Sequence, residues 1–232
     1  MSEYADQRRQ PMLVIFDCDG VLVNSEGIAA QVLTKHLNAL GLRGTLEETL
    51  SRYKGKTKKS CLLDIEMRLQ QEKLASVVDV HEFWLEMQTE TLLEFDRHLK
   101  PIAGIQVVLS KLSEKSIPFC VASNGEFNKM LWTLTKTQLL SFFEGRMFSV
   151  EDVSHGKPHP DLFLYAAQRM GVPAKQSIVI EDSVLGVQAA QAAGMTVLAY
   201  SPASNNSAIS ALGVTCFERM NLLPELLFSA AH

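Results

Sequence analysis

Asp17 and Asp19 come directly after the apolar run Met12-Leu-Val-Ile-Phe16, Ser123 closes Ile117-Pro-Phe-Cys-Val-Ala-Ser123, and Glu181-Asp182 follow Ser177-Ile-Val-Ile180. Lys157 stands in a Gly-Lys-Pro-His-Pro loop ahead of a helical stretch. Carboxylates with a hydroxyl and an amine suit a hard divalent cation beside a phosphoryl group. Each residue alone has a plainer explanation. Paired aspartates form turns, a strand-terminal serine caps a helix, and a lysine beside proline is a solvated charge. Glu181-Asp182 could simply favour the positive end of the helix that follows. All four groups would need those plainer roles at once, in order, and at the same kind of place, which argues for one joint site.

The elements that must position these residues follow from periodicity. The apolar run at 12–16 suits a strand buried on both faces. From Glu26 the spacing turns helical: Ile28, Leu33, Leu37 and Leu40 recur, with Gly41 as a stop. Thr45 and Glu48 have capping-box spacing and open a further short helix. Cys61, Leu62, Ile65 and Leu69 mark another helix, and Phe83, Trp84, Met87 and Leu92 one more. Strand and helix then alternate: helices at 104–115, 127–140, 161–170 and 184–193, strands at 117–123, 146–150, 177–180 and 195–200. A short terminal helix behind Pro224 fits only loosely. The pattern predicts an α/β fold, a Rossmann-like parallel sheet core with helices on both faces, interrupted by an all-helical cap. The expected division is 11–25 with 96–232 as the core and 26–95 as the cap. In such sheets ligands bind beyond the carboxyl ends of the strands, where these polar residues would converge.

Composition sets outer limits. The chain has 232 residues, 47% of them hydrophobic and 21% charged, enough for a substantial core. A net charge of −4 gives no overall attraction to nucleic acid or anionic membrane. The four scattered cysteines form no CxxC pair and read as buried free thiols of a reducing cytosol. Cys18 and Cys120 fall in segments expected to be strands. No apolar stretch suits a signal segment or a membrane span, so the expectation is a cytoplasmic monomer acting on a small molecule, without nucleic acid or membrane partners.

Asp17-Cys-Asp-Gly-Val-Leu-Val resembles the first motif of the haloacid dehalogenase superfamily, and Ser123, Lys157-Pro and Glu181-Asp182 resemble its second, third and fourth in order. The resemblance covers nearly the whole chain, since the helical insertion sits where that family's first type of cap is found. It implies a phosphatase in which Asp17 is the nucleophile and Asp19 the acid/base. Mg²⁺ would be held by Asp17, the Asp19 carbonyl and Asp182, with Glu181 direct or through water. Ser123 would hold phosphate oxygens and Lys157 would offset charge on the phosphoryl group. Within the superfamily, Asp19 argues against dehalogenases and phosphonatases. A β-phosphoglucomutase-type phosphotransferase is the closer rival, but its cap-hinge histidine is Ala29 here and its cap arginine aligns with Lys58. Asp17-Cys-Asp-Gly, Lys54-Gly, Ser123-Asn-Gly and Lys157-Pro-His-Pro-Asp look closer to bacterial phosphatases of 6-phosphogluconate and sugar phosphates. A non-catalytic binding protein on the same fold would be expected to lack Asp17, Asp19 or Lys157, and all are present.

Weaker signals lie around this set. Asn24 and Ser25 either line the cleft or cap the first cap helix. Asn124 shapes the turn after Ser123 or reaches substrate. The basic turn with Lys54, Lys56, Lys58 and Lys59 is a solvated face or, through Lys54 and Lys58, a reader of substrate. His155 and His159 read as loop residues near the mouth of the site.

Overall fold

The computed structural model describes residues 13–74, 78–202 and 207–228. Met12, expected to begin the first strand, lies outside them. Among the described residues, six strands form one parallel sheet: β1 Leu13–Phe16, β2 Phe119–Ser123, β3 Met147–Ser149, β4 Ser177–Glu181, β5 Thr196–Tyr200 and β6 Thr215–Phe217. Their order is β3-β2-β1-β4-β5-β6. The chain runs outward from β1 through β2 to β3 and then returns to β4 on the other side of β1. This switch point lies between β1 and β4, where parallel sheets open a crevice. The two strand ends are tied there by the Asp17 N–H, which donates to the Ile180 carbonyl at 2.9 Å.

β1 is buried on both faces because its side chains alternate between two apolar layers. Val14 and Phe16 pack with helices α5 (Ile105–Glu114) and α6 (Phe127–Lys136). Leu13 and Ile15 pack with α7 (Asp161–Arg169) and α8 (Val184–Ala192) on the opposite face. The chain between β1 and α5 is helical: α1 Ser25–Ala39, α2 Leu46–Tyr53, α3 Lys58–Gln71 and α4 Val80–His98. These helices enclose a third apolar cluster that includes Leu33, Ile65, Leu69 and Phe83. Thr45 and Glu48 make both bonds of the capping box at the start of α2. Gly41, at φ +88°, ends α1 in the left-handed conformation a β-carbon disfavours.

Several expectations are corrected in detail. The helix expected to reach 140 ends at Lys136, because Gln138 takes a positive φ of 59° and the Leu139 N–H turns back to the Leu134 carbonyl. The edge strand β6 was not expected at all. It carries Cys216, which is exposed, whereas Cys18, Cys61 and Cys120 are buried, and all four thiols are free. Cys18 lies in the turn beyond β1 rather than in the strand. No helix among the described residues is long and apolar enough to cross a membrane.

Candidate active site

The ends of β1, β2 and β4 bring Asp17, Ser123, Glu181 and Asp182 to the wall of one cleft, and the loop before α7 adds Lys157. Lys157 is the hub. Its Nζ donates to Asp17 Oδ1 at 2.6 Å, to Glu181 Oε1 at 2.7 Å and to the Ala122 carbonyl at 3.0 Å. All three ammonium hydrogens are thus used on a side chain only 2% exposed. Burial alone would lower the lysine's proton affinity, but the Asp17 and Glu181 carboxylates outweigh it and hold the ammonium charged. Burial drives Asp17 the other way, well above the ordinary carboxylate range, with Lys157 opposing and the neighbouring acids adding to the rise.

Glu181 is the scaffold of the cluster. Its Oε2 accepts from the backbone N–H groups of Asp182 and Ser183 at 2.8 and 3.0 Å and from the Ser183 hydroxyl at 2.9 Å. Gly186 in α8 packs so tightly on this carboxylate that an added β-carbon would collide with it. Gly20, at φ +84°, leaves room in the same way for the Asp182 carboxylate. Oxygens of Asp17, Glu181 and Asp182 lie within 4.8 Å of one another, and all three residues are buried. Four carboxylates, those three with Asp19, face the ammonium groups of Lys157, Lys129 and Lys54, which leaves negative charge in excess. All-oxygen donors with excess negative charge fit a hard divalent cation. Burial first, and then Glu181, push Asp182 up to about 6, against the pull of Lys54.

Asp19 has a partner that the sequence did not suggest. Lys129, from the first turns of α6, reaches both its carboxylate oxygens at 2.9 Å, and the Ser25 hydroxyl donates to Oδ1. Burial raises the Asp19 carboxyl, but Lys129 and the Ser25 hydrogen bond outweigh it and hold the group below its usual range. A lysine in an amphipathic helix looks like any solvated charge. Its only sequence signal is its place six residues beyond Ser123, in the loop-to-helix step that leaves the site. A second residue the sequence reading passed over is Glu26 in the first turn of α1. Burial together with Asp19 and Asp182 pushes its carboxyl up to about 8.

The outer candidates fall differently. Ser123 lines the cleft and accepts the Gly125 N–H at 3.0 Å, which leaves its hydroxyl hydrogen to donate. Asn124 also lines the cleft, but its amide is engaged with the protein. It accepts the Lys157 N–H at 2.9 Å and donates to the Gly55 and Lys157 carbonyls at 2.9 and 3.2 Å. It ties the helical layer to the core instead of presenting a free amide. Lys54 pairs with Asp182 at 2.6 Å, and Lys58 with Glu126 at 3.2 Å, so both ammonium groups rest on core carboxylates. Asn24 is a correction: it does not line the cleft and makes no capping bond from its side chain. Its Oδ1 accepts the Lys100 N–H at 2.7 Å, which joins the segments entering and leaving the helical layer. His155 sits at the surface, bonded to Asp161 at 2.9 Å.

The family of haloacid dehalogenase-like hydrolases matches residues 14–200. The chain belongs to that family. It is 34% identical over 213 residues to the 6-phosphogluconate phosphatase of Escherichia coli (strain K12), covering 92% of this chain and 93% of that protein. Among solved structures, a haloacid dehalogenase-like protein from Agrobacterium tumefaciens superposes with a TM-score of 0.78 at 34% identity, over 95% of this chain and 99% of the other. A family hydrolase from Deinococcus radiodurans, solved with phosphate and sodium bound, gives a TM-score of 0.74 at 31% identity, over 96% and 97%. The cluster of Asp17, Ser123, Lys157, Glu181 and Asp182 lies beyond the carboxyl ends of the strands, where open parallel sheets bind their ligands.

Proposed function

We propose that this hydrolase is a Mg²⁺-dependent phosphatase of small phosphorylated carbohydrates that carries the phosphoryl group on Asp17. The observation that supports this best is the shared contact of Lys157 with Asp17 and Glu181, which orients a buried carboxylate at the mouth of the β1/β4 crevice. A carboxylate held in this way can attack phosphorus and form an acyl phosphate while the ester P–O bond breaks. Asp19, held ionised by Lys129 and Ser25, takes the proton of a monoprotonated phosphate ester as it enters and passes it to the departing alkoxide. In the second half it takes a proton from the water that attacks phosphorus, releasing inorganic phosphate and restoring Asp17. Lys129 and Ser25 hold Asp19 in place for both transfers. The Ser123 hydroxyl donates to a phosphoryl oxygen, and the fixed charge of Lys157 offsets the negative charge that gathers there. Asp17, Asp182 and the Asp19 carbonyl would hold Mg²⁺, with Glu181 inner- or outer-sphere, and the ion would supply charge stabilisation for the transferring group. Lys54 and Lys58 are assigned to the substrate's far end once it draws them from Asp182 and Glu126.

The carbohydrate assignment rests on the similarity to the 6-phosphogluconate phosphatase. Its test is phosphate release from 6-phosphogluconate and a set of hexose phosphates, with and without EDTA. The expected result is turnover of at least one of these, abolished by EDTA and restored by Mg²⁺. Undiminished turnover in EDTA would remove the cation from the account, and no release from any ester would remove the phosphatase.

A further inference from the structure

Asn124 stands one residue beyond Ser123, and its buried amide is spent on two segments at once. Oδ1 accepts the Lys157 N–H at 2.9 Å while Nδ2 donates to the Lys157 carbonyl at 3.2 Å, so one side chain grips both polar groups of that residue's backbone. Neither group has a backbone partner among the described residues. Nδ2 also donates to the Gly55 carbonyl at 2.9 Å, in the turn between α2 and α3. The segments are fitted closely there. A β-carbon on Gly55 would lie 2.9 Å from Ser183 Oγ, and one on Gly156 would lie 2.6 Å from Asn124 Oδ1 and 3.0 Å from Thr57 Cγ2. Asn124 and the turn that holds Gly55 and Thr57 therefore both press on the loop that presents Lys157.

We infer that Asn124 is a positioning residue for Lys157, and that it makes the aim of the Lys157 ammonium depend on the seating of the Gly55 turn against the core. The inference rests on the phosphatase reading above and adds a control on its site. Lys157 lies in a loop, where no helix or strand ladder fixes its backbone. Its ammonium ends a four-carbon stem, yet it meets Asp17, Glu181 and the Ala122 carbonyl together at 2.6, 2.7 and 3.0 Å. A rotation of the Asn124 amide moves both backbone contacts at once, and the stem carries that displacement to Nζ. A misplacement of about 1 Å at a reacting group can cost about 10²-fold in rate. With the turn seated, the amide is held from both sides. When the turn lifts, one of its three hydrogen bonds is lost and the amide is freer to rotate.

The test is a double-mutant cycle on kcat, with Mg²⁺ and whichever carbohydrate phosphate the protein hydrolyses, each variant first shown by urea unfolding to be folded. Asn124→Ala removes the link. Gly55→Ala unseats the turn, and the strain of a methyl at its φ of +74° is one that single domains survive. Asn124→Ala should lower kcat about 10²-fold with KM changed less than about threefold, and Gly55→Ala should lower kcat about tenfold. In the Asn124→Ala background, Gly55→Ala should cost less than about threefold further, because the route from turn to lysine is already cut. Losses that multiply would mark two independent structural contacts and overturn the inference, as would an unchanged kcat in Asn124→Ala. A raised KM with kcat retained would make Asn124 a substrate contact and overturn it too. Each of these results leaves the phosphatase reading standing, whereas a wild-type protein that hydrolyses no ester removes both. Should Asn124→Ala not fold, Asn124→Asp takes its place in the cycle, since it keeps an acceptor for the Lys157 N–H and loses the amide donor to Gly55.

Discussion

Replacing Lys157 by Met keeps most of the side-chain length and removes one charge from the centre of the cluster. The ammonium satisfies Asp17, Glu181 and the Ala122 carbonyl at 2.6, 2.7 and 3.0 Å, and its side chain is 2% exposed. Without it, two buried carboxylates face each other uncompensated. Removing one partner of a buried ion pair costs about 3–5 kcal/mol, against total stabilities of about 5–15 kcal/mol for single domains. Urea unfolding in EDTA at pH 7.5, followed by tryptophan fluorescence, should show a loss of that size. The sign of the pH dependence follows from Asp17. With its cation gone, its folded-state proton affinity rises further above the unfolded value, so the variant's deficit is largest at neutral pH and shrinks as pH falls toward 5. A divalent cation should raise the variant's midpoint more than the wild type's, because it replaces the missing charge. An unfolding free energy unchanged within about 0.5 kcal/mol, or a deficit that does not vary with pH, would refute the assignment of Lys157 as the charge that holds the cluster together.

Glu26 gives a second pH test. Burial raises its carboxyl from 4.5 to about 8, so the folded state loses stability as pH rises through that window. At about 1.4 kcal/mol for each tenfold change in proton affinity the upper limit is about 5 kcal/mol, and partial exposure reduces it. Glu26→Gln should flatten the decline between pH 5 and 8 in EDTA; the same slope in both proteins would show that Glu26 is not the source. Lys129→Met should let the Asp19 carboxyl rise, moving the limb of the rate profile that Asp19 controls to higher pH and lowering kcat by about 10²-fold. An unshifted profile would mean that Lys129 does not tune Asp19.

What could be read from the sequence was what is local. The apolar run before Asp17, the Thr45–Glu48 cap and the glycine stops each declare themselves within a few residues, and the strand–helix alternation fixes a parallel sheet. Convergence of Asp17, Ser123, Lys157 and Asp182 on one cleft then follows from topology. Contacts between distant surfaces left no such mark. Lys129 meets Asp19 across 110 residues, and nothing in the spacing of α6 distinguishes it from a solvated lysine. Lys54 reaches Asp182 because α2 happens to end above β4, and Asn24 faces Lys100 because two chain segments cross there. Glu26 looked like the opening of a helix, which it is; its burial beside two other acids is a property of the packed site. β6 escaped notice because a three-residue edge strand that leaves Thr215 and Cys216 exposed has too few residues to show a period.

The central claim is that Asp17 carries the phosphoryl group. Protein mixed with a phosphorylated ester and Mg²⁺ should be quenched in acid within the first turnover, and the trapped acyl phosphate reduced with borohydride before peptide mass spectrometry. Asp19→Asn, which slows release of the intermediate by removing its base, should raise the yield. The account predicts homoserine in place of Asp17 in the peptide spanning β1, and no turnover by a folded Asp17→Asn protein. Reduction at another carboxylate, or continued hydrolysis by Asp17→Asn, would contradict it.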